Sequence, residues 1–383
     1  MAKTVGKLKI ALVLDDSLDK TGGVQEYIIS LGDWLRAEGH QVHFLVGKTT
    51  RTDIANVHSL SRNVGVRFNG NHMSMPLPAS RRKLRALLAR EQYDVLHVQV
   101  PYSPFLAHRL ILAAPAHTAV IGTFHIVAYS QLVTLATRAL AIWTRRSTRR
   151  FDQMISVSSA AVVFARETYH MPSVVIPNAI EYKRFNTAQP IRPDDPLINV
   201  LFLGRLVARK GCQYLLQAVA ALQTRADLPA YTITICGKGP LDASLRAYAT
   251  QHGISERVRF VGYVSEPDKP GYYAGADIAV FPSTGGESFG IVLVEAMATG
   301  RTVVLAGDNS GYRTVMEPQP ELLFQPQDTA ELAEKLAGLL QDAGRRKALA
   351  DWGGMYAKNF DASIVGAKIV AEYQQALRKR AKV

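Results

Sequence analysis

The chain has 383 residues, of which 48% are hydrophobic and 20% charged, and its formal net charge is +13. This composition is that of a globular protein and excludes a disordered chain, while the length favours two domains. No run of 18 apolar residues is present, so a membrane-spanning helix is not expected. Two cysteines, Cys212 and Cys236, are too few for a disulfide scaffold or a cysteine-based zinc site. We expect a protein of the reducing cytoplasm with no signal peptide.

Three short runs of cations carry the excess positive charge. They hold thirteen Lys and Arg residues and no acidic residue, so the remainder of the chain is neutral. Clustered cations favour an anionic partner such as a lipid headgroup or a phosphorylated substrate, although each run could also be a solvated face. The runs consist of Arg81, Arg82, Lys83, Arg85 and Arg90, then Arg145, Arg146, Arg149 and Arg150, and finally Arg378, Lys379, Arg380 and Lys382.

Short apolar runs alternate with helical patterns along the chain. The run at 9–14 is followed by a helical period over 24–39, and this alternation repeats. Repeated βα units predict doubly wound parallel sheets. The other strands of the first series are predicted at 41–47, 94–100, 119–125, 153–158 and 174–178, and those of the second series at 199–204, 232–237, 258–264, 278–283 and 302–307.

The two series predict two Rossmann-like α/β domains. We place the first at 1–188 and the second at 197–358, joined by a proline-rich linker at 187–196. A last helical stretch, about 360–383, has no strand after it and is expected to return to the first domain. Ligands of open α/β sheets bind at the carboxyl ends of the strands, so the loops there are expected to converge on a cleft between the domains.

Two glycine-bearing loops at predicted strand ends suit an anionic ligand. Gly22 and Gly23 precede the first helix, where bare backbone can approach a phosphate; a plain tight turn is the alternative. The stretch 204–211 reads Gly-Arg-Leu-Val-Ala-Arg-Lys-Gly, and its three cations suit a diphosphate. Neither G-x-G-x-x-G nor a P-loop pattern occurs, which argues against a dehydrogenase and a P-loop enzyme.

A third loop, at 284–296, reads TGGESFGIVLVEA. A helix is predicted to begin within it, and free backbone amides at a helix start bind anions. Glu287 lies at the mouth of this site, where a carboxylate can accept hydrogen bonds from sugar hydroxyls. Glu295 lies about two helical turns further on. The amides concerned belong to Ser288, Phe289, Gly290 and Ile291.

His125 is the best placed of the ten histidines. It ends the predicted strand at 119–125, where it can bind or polarise a ligand in the expected cleft, although a structural role is the alternative. His97 lies within a predicted strand and is expected to be structural. No nucleic-acid-binding signature accompanies the basic runs, so nucleic acid is not an expected partner.

In order, and over nearly the whole chain, these motifs resemble the retaining, nucleotide-sugar-dependent glycosyltransferases of family four. These enzymes have the GT-B architecture, in which two Rossmann-like domains face a central cleft. The resemblance rests on the glycine loop at 22–23, GRLVARKG at 204–211, GKGP at 237–240 and the pair Glu287 and Glu295. TGGVQ, TFH and TGGESFGIVLVEAMA are most similar to the bacterial phosphatidylinositol mannosyltransferases, which transfer mannose from GDP-mannose to a membrane phospholipid at the cytoplasmic face.

The resemblance implies a role for each domain and each motif. The first domain would face the acceptor and the membrane, and the second would bind the nucleotide sugar without a metal or other cofactor. Glu287 would hold the donor sugar, Glu295 the ribose, and His125 would assist catalysis beside the transferred sugar. The implied donor site comprises Gly22, Gly23, Arg205, Lys210, Gly237, Val264, Glu287, Ser288, Phe289, Gly290, Ile291 and Glu295, and the implied catalytic residues are His125 and Glu287.

The loops expected to face the acceptor depart from those mannosyltransferases. His125 is followed by Ile126, Val127, Ala128 and Tyr129, and the stretch 100–104 reads Val-Pro-Tyr-Ser-Pro. The acceptor therefore stays open between phosphatidylinositol or a related glycerolipid, diacylglycerol and a soluble sugar. UDP-glucose is the alternative donor, and the oligomeric state is not predicted.

The stretch 80–90 predicts an amphipathic helix suited to an anionic membrane surface. Leu84, Leu87 and Leu88 share one face with cations beside it, a pattern typical of interfacial helices. The same leucines could instead pack against their own domain. The membrane-binding residues expected here are Arg81, Arg82, Lys83 and Arg85, which would place the protein peripherally on the inner face of the membrane.

Overall fold

The computed structural model describes residues 6–19, 22–68, 71–126 and 131–381. The chain forms two compact units. Unit 1 comprises Met1–Ala179 and Ala362–Val383, and unit 2 comprises Ile180–Asp361. The stretch expected as a linker, 187–196, belongs to unit 2, where the Ile191 backbone N–H donates a 2.8 Å hydrogen bond to the Gly271 carbonyl. The chain therefore passes between the units at Ala179–Ile180 and again at Asp361–Ala362.

Unit 1 contains a parallel sheet, a small antiparallel hairpin and the helices around them. Its strands are β1 (Lys9–Leu14), β2 (Gln41–Val46), β3 (Val57–Ser59), β4 (Asn63–Phe68), β5 (Asn71–Pro76), β6 (Val95–Val98), β7 (Ala119–Phe124), β8 (Gln153–Ser156) and β9 (Val174–Val175). Its helices are α1 (Gly23–Ala37), α2 (Arg81–Glu91), α3 (Leu106–Ala113), α4 (Gln131–Thr148), α5 (Ser159–Tyr169) and, after unit 2, α14 (Ala362–Arg380).

The sheet of unit 1 is doubly wound. Its strand order is β3-β2-β1-β6-β7-β8-β9, and every pairing in it is parallel. The winding reverses between β1 and β6, so the carboxyl ends of these two strands mark the crossover point where ligands of such sheets bind. The hairpin of β4 and β5 was not predicted, although Asn-Gly at positions 69–70 of the sequence is a strong hairpin signal.

Both faces of this sheet are covered, as the continuous apolar runs predict. Along β1, Ile10 and its alternate neighbours pack with α1 and α14. Ala11 and Val13 point to the opposite face and pack with α2 and α3. The two-residue period of a strand thus divides one apolar run between two cores.

The last helix returns to unit 1, as predicted. The Tyr373 hydroxyl of α14 lies 2.7 Å from His97 Nδ1, and His97 Nε2 lies 2.7 Å from Thr123 Oγ1 on the neighbouring strand. Burial lowers the pKa of His97 to about 3, so this histidine is neutral at physiological pH and connects helix to sheet. The role of His97 is structural.

Unit 2 repeats the architecture on a smaller sheet. Its strand order, β12-β11-β10-β13-β14-β15, is also parallel throughout and reverses between β10 and β13. The strands are β10 (Ile198–Leu203), β11 (Tyr231–Cys236), β12 (Val258–Gly262), β13 (Ile278–Phe281), β14 (Val303–Gly307) and β15 (Leu323–Phe324). The helices are α6 (Tyr182–Asn186), α7 (Cys212–Ala221), α8 (Asp242–Gln251), α9 (Lys269–Ala274), α10 (Ile291–Ala298), α11 (Ser310–Met316), α12 (Thr329–Gln341) and α13 (Ala343–Ala357).

The three cation runs differ in their exposure and in their ion pairs. In α2 the three leucines are buried in the core of unit 1, and Arg81, Arg82, Lys83 and Arg85 are exposed. In the C-terminal run, Arg380 pairs with Asp152 at 2.9 Å and Lys379 donates to the backbone of the same residue, while Lys382 lies outside the described residues. The run in α4 keeps Arg145, Arg146 and Arg149 exposed. For the leucines, packing on the protein's own unit is therefore the correct alternative.

The contact between α14 and α1 requires a glycine at position 366. A Cβ atom there would lie 2.2 Å from the Trp34 ring. We expect Gly366→Ala to destabilise the protein by about 1–3 kcal/mol, the usual cost of overpacking, measured by urea unfolding. Gly338→Ala on α12, where a Cβ meets nothing within 4 Å, is the matched control and should gain up to about 1 kcal/mol from helix propensity. Equal effects of the two changes would contradict the packing argument.

Candidate functional site

Two loops of unit 2, one basic and one glycine-rich, follow the two strands between which the winding of its sheet reverses. The loop 204–211 leaves β10 and the loop 282–290 leaves β13, its neighbour in the sheet. The Thr284 backbone N–H donates a 2.8 Å hydrogen bond to the Arg209 carbonyl, and the Ser283 hydroxyl oxygen lies 3.1 Å from the same carbonyl oxygen. The fold therefore holds the predicted motifs against each other at the place where an open α/β sheet binds its ligand.

Glycine makes these close approaches possible. Gly211 has a φ of +75°, and a Cβ on it would lie 1.9 Å from the Pro282 carbonyl oxygen. A Cβ on Gly237 would lie 1.8 Å from the Gly204 carbonyl oxygen, which joins the end of β11 to the same cluster of loops. No side chain larger than hydrogen fits at either position.

Glu287 lies at the centre of this loop cluster. Its Oε1 atom is 2.8 Å from Lys210 Nζ and 2.8 Å from Arg209 Nη1, and it accepts a 2.9 Å hydrogen bond from the Ser283 hydroxyl. All four side chains are largely or fully buried. Two cations thus share one carboxylate, which leaves the cluster with an excess of positive charge.

The cluster fixes the ionisation of its members. Burial alone would raise the pKa of Glu287, but the charges of Lys210 and Arg209 outweigh it and lower the pKa to about 2. Burial lowers the pKa of Lys210, and Glu287 opposes that shift. Burial also lowers the pKa of Arg205, with Arg209 contributing in the same direction. A buried group of cations with a single anion gains most from an additional anionic ligand.

One donor in the cluster is unsatisfied. Arg209 Nε is buried and has no hydrogen-bond partner. A buried guanidinium N–H left unpaired is costly, so it indicates a position where an acceptor atom of a ligand binds. Sequence analysis placed Arg209 in the basic loop but chose Arg205 and Lys210 as the phosphate ligands. Its spacing from Glu287 gave no sign that the two side chains pair.

The start of α10 follows the loop as predicted. Gly290 is its N-cap residue with a φ of +99°, and no side chain caps the helix there. Ser288 and Ile291 are half-buried on either side, whereas the Phe289 side chain is buried and packs against Phe360 with ring centroids 5.7 Å apart. The uncapped N-terminus therefore belongs to the same loop as Glu287, the carboxylate that the two cations share.

The hydrogen-bond partners of Glu295 belong to α9 and not to this cluster. Its carboxylate accepts a 3.0 Å hydrogen bond from Lys269 Nζ and a 3.3 Å bond from the Tyr273 hydroxyl, both on α9. Burial would lower the pKa of Lys269, but Glu295 and Glu266 outweigh it and the pKa is raised. Sequence analysis missed Lys269 as this partner. Val264, predicted near the base, is half-buried just beyond the end of β12.

In unit 1, the glycine loop precedes α1 as predicted. Gly22 is the N-cap residue in an extended conformation, and its carbonyl accepts the Glu26 N–H at 3.0 Å. A Cβ on Gly22 would meet the Gln25 side-chain oxygen at 2.6 Å. Gly23 is the first residue of the helix. Thr21, which belongs to the same sequence motif, lies outside the described residues.

His125 follows β7 and is buried. Its Nε2 atom lies 2.9 Å from Gln99 Oε1, which accepts the Nε2 proton, and its ring meets the Tyr27 ring edge-on with centroids 5.0 Å apart. Burial lowers the pKa of His125 to about 3, so the imidazole is neutral with Nδ1 as its lone-pair nitrogen. Gln99, which ends the neighbouring segment after β6, escaped sequence analysis because an isolated Gln after a strand carries no motif.

The loop 100–104, expected to face the acceptor, contains a buried aromatic side chain. Tyr102 packs against Phe124 and Tyr169 with ring centroids 5.5 and 5.7 Å apart. Ser103 hydrogen-bonds Asp15 at the end of β1, and burial raises the pKa of that carboxyl to about 7. The residues that follow His125 in the other expected acceptor loop, Val127, Ala128 and Tyr129, lie outside the described residues.

The chain matches two protein families over most of its length. The family described as "Glycosyltransferase Family 4" matches residues 21–184, and the family "Glycosyl transferases group 1" matches residues 198–342. The phosphatidyl-myo-inositol mannosyltransferase of Mycolicibacterium smegmatis is 32% identical over 373 residues, which are 96% of this chain and 94% of that protein. The chain belongs to the family-four glycosyltransferases. It is therefore an enzyme that transfers a hexosyl group, as its motifs predicted.

Solved structures agree on the fold. The glycosyltransferase of Rickettsia africae superposes with a TM-score of 0.76 at 17% identity, covering 97% of this enzyme and 99% of that chain. The Anabaena protein HepE in complex with UDP superposes with a TM-score of 0.75 at 18% identity, covering 96% and 100%. The predicted GT-B fold of the enzyme is confirmed.

Two features are absent from the described part of the enzyme. Within residues 6–19, 22–68, 71–126 and 131–381, no helix has the length and apolarity needed to cross a membrane. Over the same residues, no group of three or more His, Cys, Asp or Glu side chains is arranged to hold a metal ion.

The ion pairs of Glu287 predict that its contribution to the unfolding free energy depends on pH. Its folded-state pKa of about 2 is lower than the ordinary value of 4.5, so its stabilisation is complete above pH 4.5 and is lost as the pH falls towards 2. Glu287→Gln leaves two buried cations without a partner, and we expect it to lower the unfolding free energy at pH 7 by about 3 kcal/mol. The gap to the wild type should narrow on acidification, measured by urea unfolding from pH 7 to pH 3. A gap that is independent of pH would show that the carboxylate is not held as an anion.

Proposed function

We propose that the enzyme transfers mannose from GDP-mannose to phosphatidylinositol or a related glycerolipid, with retention of the anomeric configuration. The observation that supports this most is the cation cluster of unit 2, in which Arg209 and Lys210 hold Glu287 beside an uncapped helix start. The choice of mannose and of an inositol lipid is supported by the full-length mannosyltransferase relative and by the TGGESFGIVLVEAMA string, which resembles that of such enzymes.

In this proposal the cluster binds the nucleoside diphosphate and stabilises its departure. Arg205, Lys210 and the amides at 288–291 neutralise the charge that builds on the diphosphate as its bond to the sugar C1 breaks. The acceptor hydroxyl oxygen bonds to C1 from the same face, and its proton leaves with the diphosphate. Glu287, fixed as an anion, orients the sugar hydroxyls, while Gly237, Val264 and Glu295 contact the nucleoside. No metal takes part, because the protein's own cations supply the charge.

His125 contributes from unit 1 as a neutral side chain. A cationic imidazole would attract the diphosphate, whereas a neutral one can accept a hydrogen bond from a sugar or acceptor hydroxyl through Nδ1. The contact with Gln99 holds the proton on Nε2 and leaves Nδ1 available. Gly22 and Gly23 in the same unit give the donor diphosphate access to bare backbone.

We place the enzyme peripherally on the inner face of the cytoplasmic membrane. The exposed cations of α2, Arg81, Arg82, Lys83 and Arg85, supply attraction to anionic lipid, each contributing about 1 kcal/mol near such a surface. Because the leucines of α2 are buried in the core, this attraction is electrostatic and sensitive to salt.

A second candidate uses UDP-glucose as donor, with a diacylglycerol or a soluble sugar as acceptor. The observation in its favour is the fold shared with HepE, whose solved structure contains UDP. The cation cluster suits either diphosphate, because it contacts phosphate rather than base.

The first test measures nucleoside diphosphate release from GDP-mannose and from UDP-glucose, each with and without phosphatidylinositol vesicles. We expect release from GDP-mannose that requires the vesicles, with the mannosylated lipid identified by mass spectrometry. Glu287→Gln should lower this turnover at least about tenfold, which corresponds to about 1.4 kcal/mol of barrier, and retain nucleotide affinity. Arg205→Ala combined with Lys210→Ala should weaken GDP binding itself.

The matched control is Glu256→Gln, an exposed carboxylate of unit 2, which should turn over like the wild type. Release that occurs only with UDP-glucose, or without vesicles, would contradict the proposed donor or acceptor. Wild-type turnover of the Glu287 variant would remove that residue from the mechanism.

Charge reversal tests the role of α2. The triple change of Arg81, Arg82 and Lys83 to Glu should abolish lipid-dependent turnover and leave GDP binding unchanged. The control reverses three exposed cations of unit 2, Arg345, Lys347 and Lys358, and so matches the change in net charge. Turnover that survives the α2 change, or fails equally in the control, would show that α2 is not the docking surface.

A further inference from the structure

Over residues 137–148, α4 buries hydroxyl side chains and exposes large apolar ones. This is the reverse of a typical helix on the surface of a water-soluble protein. Thr137, Thr144 and Ser147 are buried, while Ile142 is 78% exposed and Trp143 67% exposed. The buried hydroxyls satisfy themselves within the helix, since Thr144 donates to the Leu140 carbonyl at 2.7 Å and Ser147 to the Thr144 carbonyl at 2.8 Å. An ordinary surface helix buries its large apolar side chains and exposes its hydroxyls.

Cations surround the exposed apolar pair. Arg138, Arg145 and Arg149 are spaced so that they lie along one stripe with Ile142, and Arg146 follows Trp143 at the helical interval of three residues. The four arginines are exposed, and no acidic residue occurs anywhere in α4. A tryptophan and an isoleucine framed by arginines have the composition of a membrane-interface surface.

This surface is continuous with the cations of α2. The helix α3 contacts both α2 and α4, and His108 on α3 lies 2.8 Å from the Ser147 hydroxyl of α4. Burial lowers the pKa of His108, with Arg81 of α2 and Arg146 of α4 acting in the same direction. A cation from each of the two helices therefore lies near His108, and the two basic runs belong to one side of unit 1.

The two helices differ in what they can offer a membrane. In α2 the apolar face, Leu84, Leu87 and Leu88, is committed to the core, so that helix presents charge alone. In α4 apolar side chains project outward. Attraction by charge reaches over about a Debye length, whereas insertion requires apolar surface at the point of contact.

We propose that the outer face of α4 inserts Trp143 and Ile142 into the headgroup region of an anionic membrane, with the arginines around them on lipid phosphates. The proposal rests on the proposed function only in taking a lipid surface as the place where the enzyme works. A second copy of the chain is a poorer occupant, because a symmetric contact through this face would bring two sets of arginines together.

Vesicle sedimentation without any nucleotide sugar tests the insertion. Ile142→Ser combined with Trp143→Ser should bind mixed phosphatidylcholine and phosphatidylglycerol vesicles at least about tenfold more weakly than the wild type, and should dissociate at lower salt. The matched control, Met355→Ser combined with Ile364→Ser, removes two exposed apolar side chains from α13 and α14 and should bind like the wild type.

Tryptophan fluorescence reports on the same contact directly. The chain has three tryptophans, and the difference between the wild type and Trp143→Phe isolates the signal of Trp143. This difference signal should shift to shorter wavelength with anionic vesicles and be quenched by lipids brominated on the acyl chain. Because Phe retains an apolar ring, the variant should still bind, which separates the loss of the reporter from the loss of the anchor.

The outcomes separate the alternatives. Wild-type binding by the serine variant, or no quenching of Trp143, would overturn the insertion. If the wild type sediments as a dimer and the serine variant as a monomer, while both bind vesicles equally, the face would be assigned to self-association instead. Membrane binding that follows the prediction while lipid glycosylation is absent would retain the surface and contradict the proposed acceptor.

Discussion

The carboxylate of Glu287, held between Lys210 and Arg209, is the interaction on which the unit 2 site depends. Two cations within 2.8 Å of one oxygen keep the side chain ionised and keep the loops after β10 and β13 in contact. The arrangement is deficient in negative charge, and Arg209 Nε lacks a partner. A site of this kind is electrostatically prepared for an anionic ligand before the ligand arrives, which lowers the cost of reorganisation on binding.

The two units share a fold but differ in the ionisation of the side chains near the crossover of each sheet. At the crossover of unit 2, ion pairs keep charges ionised in a largely buried place. Near the crossover of unit 1, burial disfavours the charged forms, since the pKa of His125 is lowered to about 3 and that of Asp15 is raised to about 7. The difference lies in the side chains at the strand ends, because Gln99 and Ser103 are neutral partners whereas Lys210 and Arg209 are charged. In the proposed function, the cations of unit 2 therefore suit a phosphate, and the neutral His125 of unit 1 suits a hydroxyl.

Sequence reasoning succeeded wherever a local pattern determines the structure. The run at 9–14 is β1, and the last helix ends at Arg380 and returns to unit 1. Sequence reasoning gave no information where a side chain had a choice of direction. Tyr102 follows a strand and could have faced outward, yet it packs on Phe124, and Glu295 is paired with Lys269 from a helix 26 residues earlier. Such pairings depend on which helices become neighbours, and no spacing in the sequence encodes them.

The leucines of α2 and the tryptophan of α4 show why a helical pattern alone cannot assign a membrane face. Both helices carry cations beside apolar residues. Burial distinguishes them, because the leucines of α2 complete the core while Ile142 and Trp143 of α4 are exposed. Between residues 137 and 148, the side of α4 towards its own unit carries the small polar side chains of Thr144 and Ser147. Periodicity identifies two faces of a helix, but only the packing of unit 1 determines which face is left for lipid.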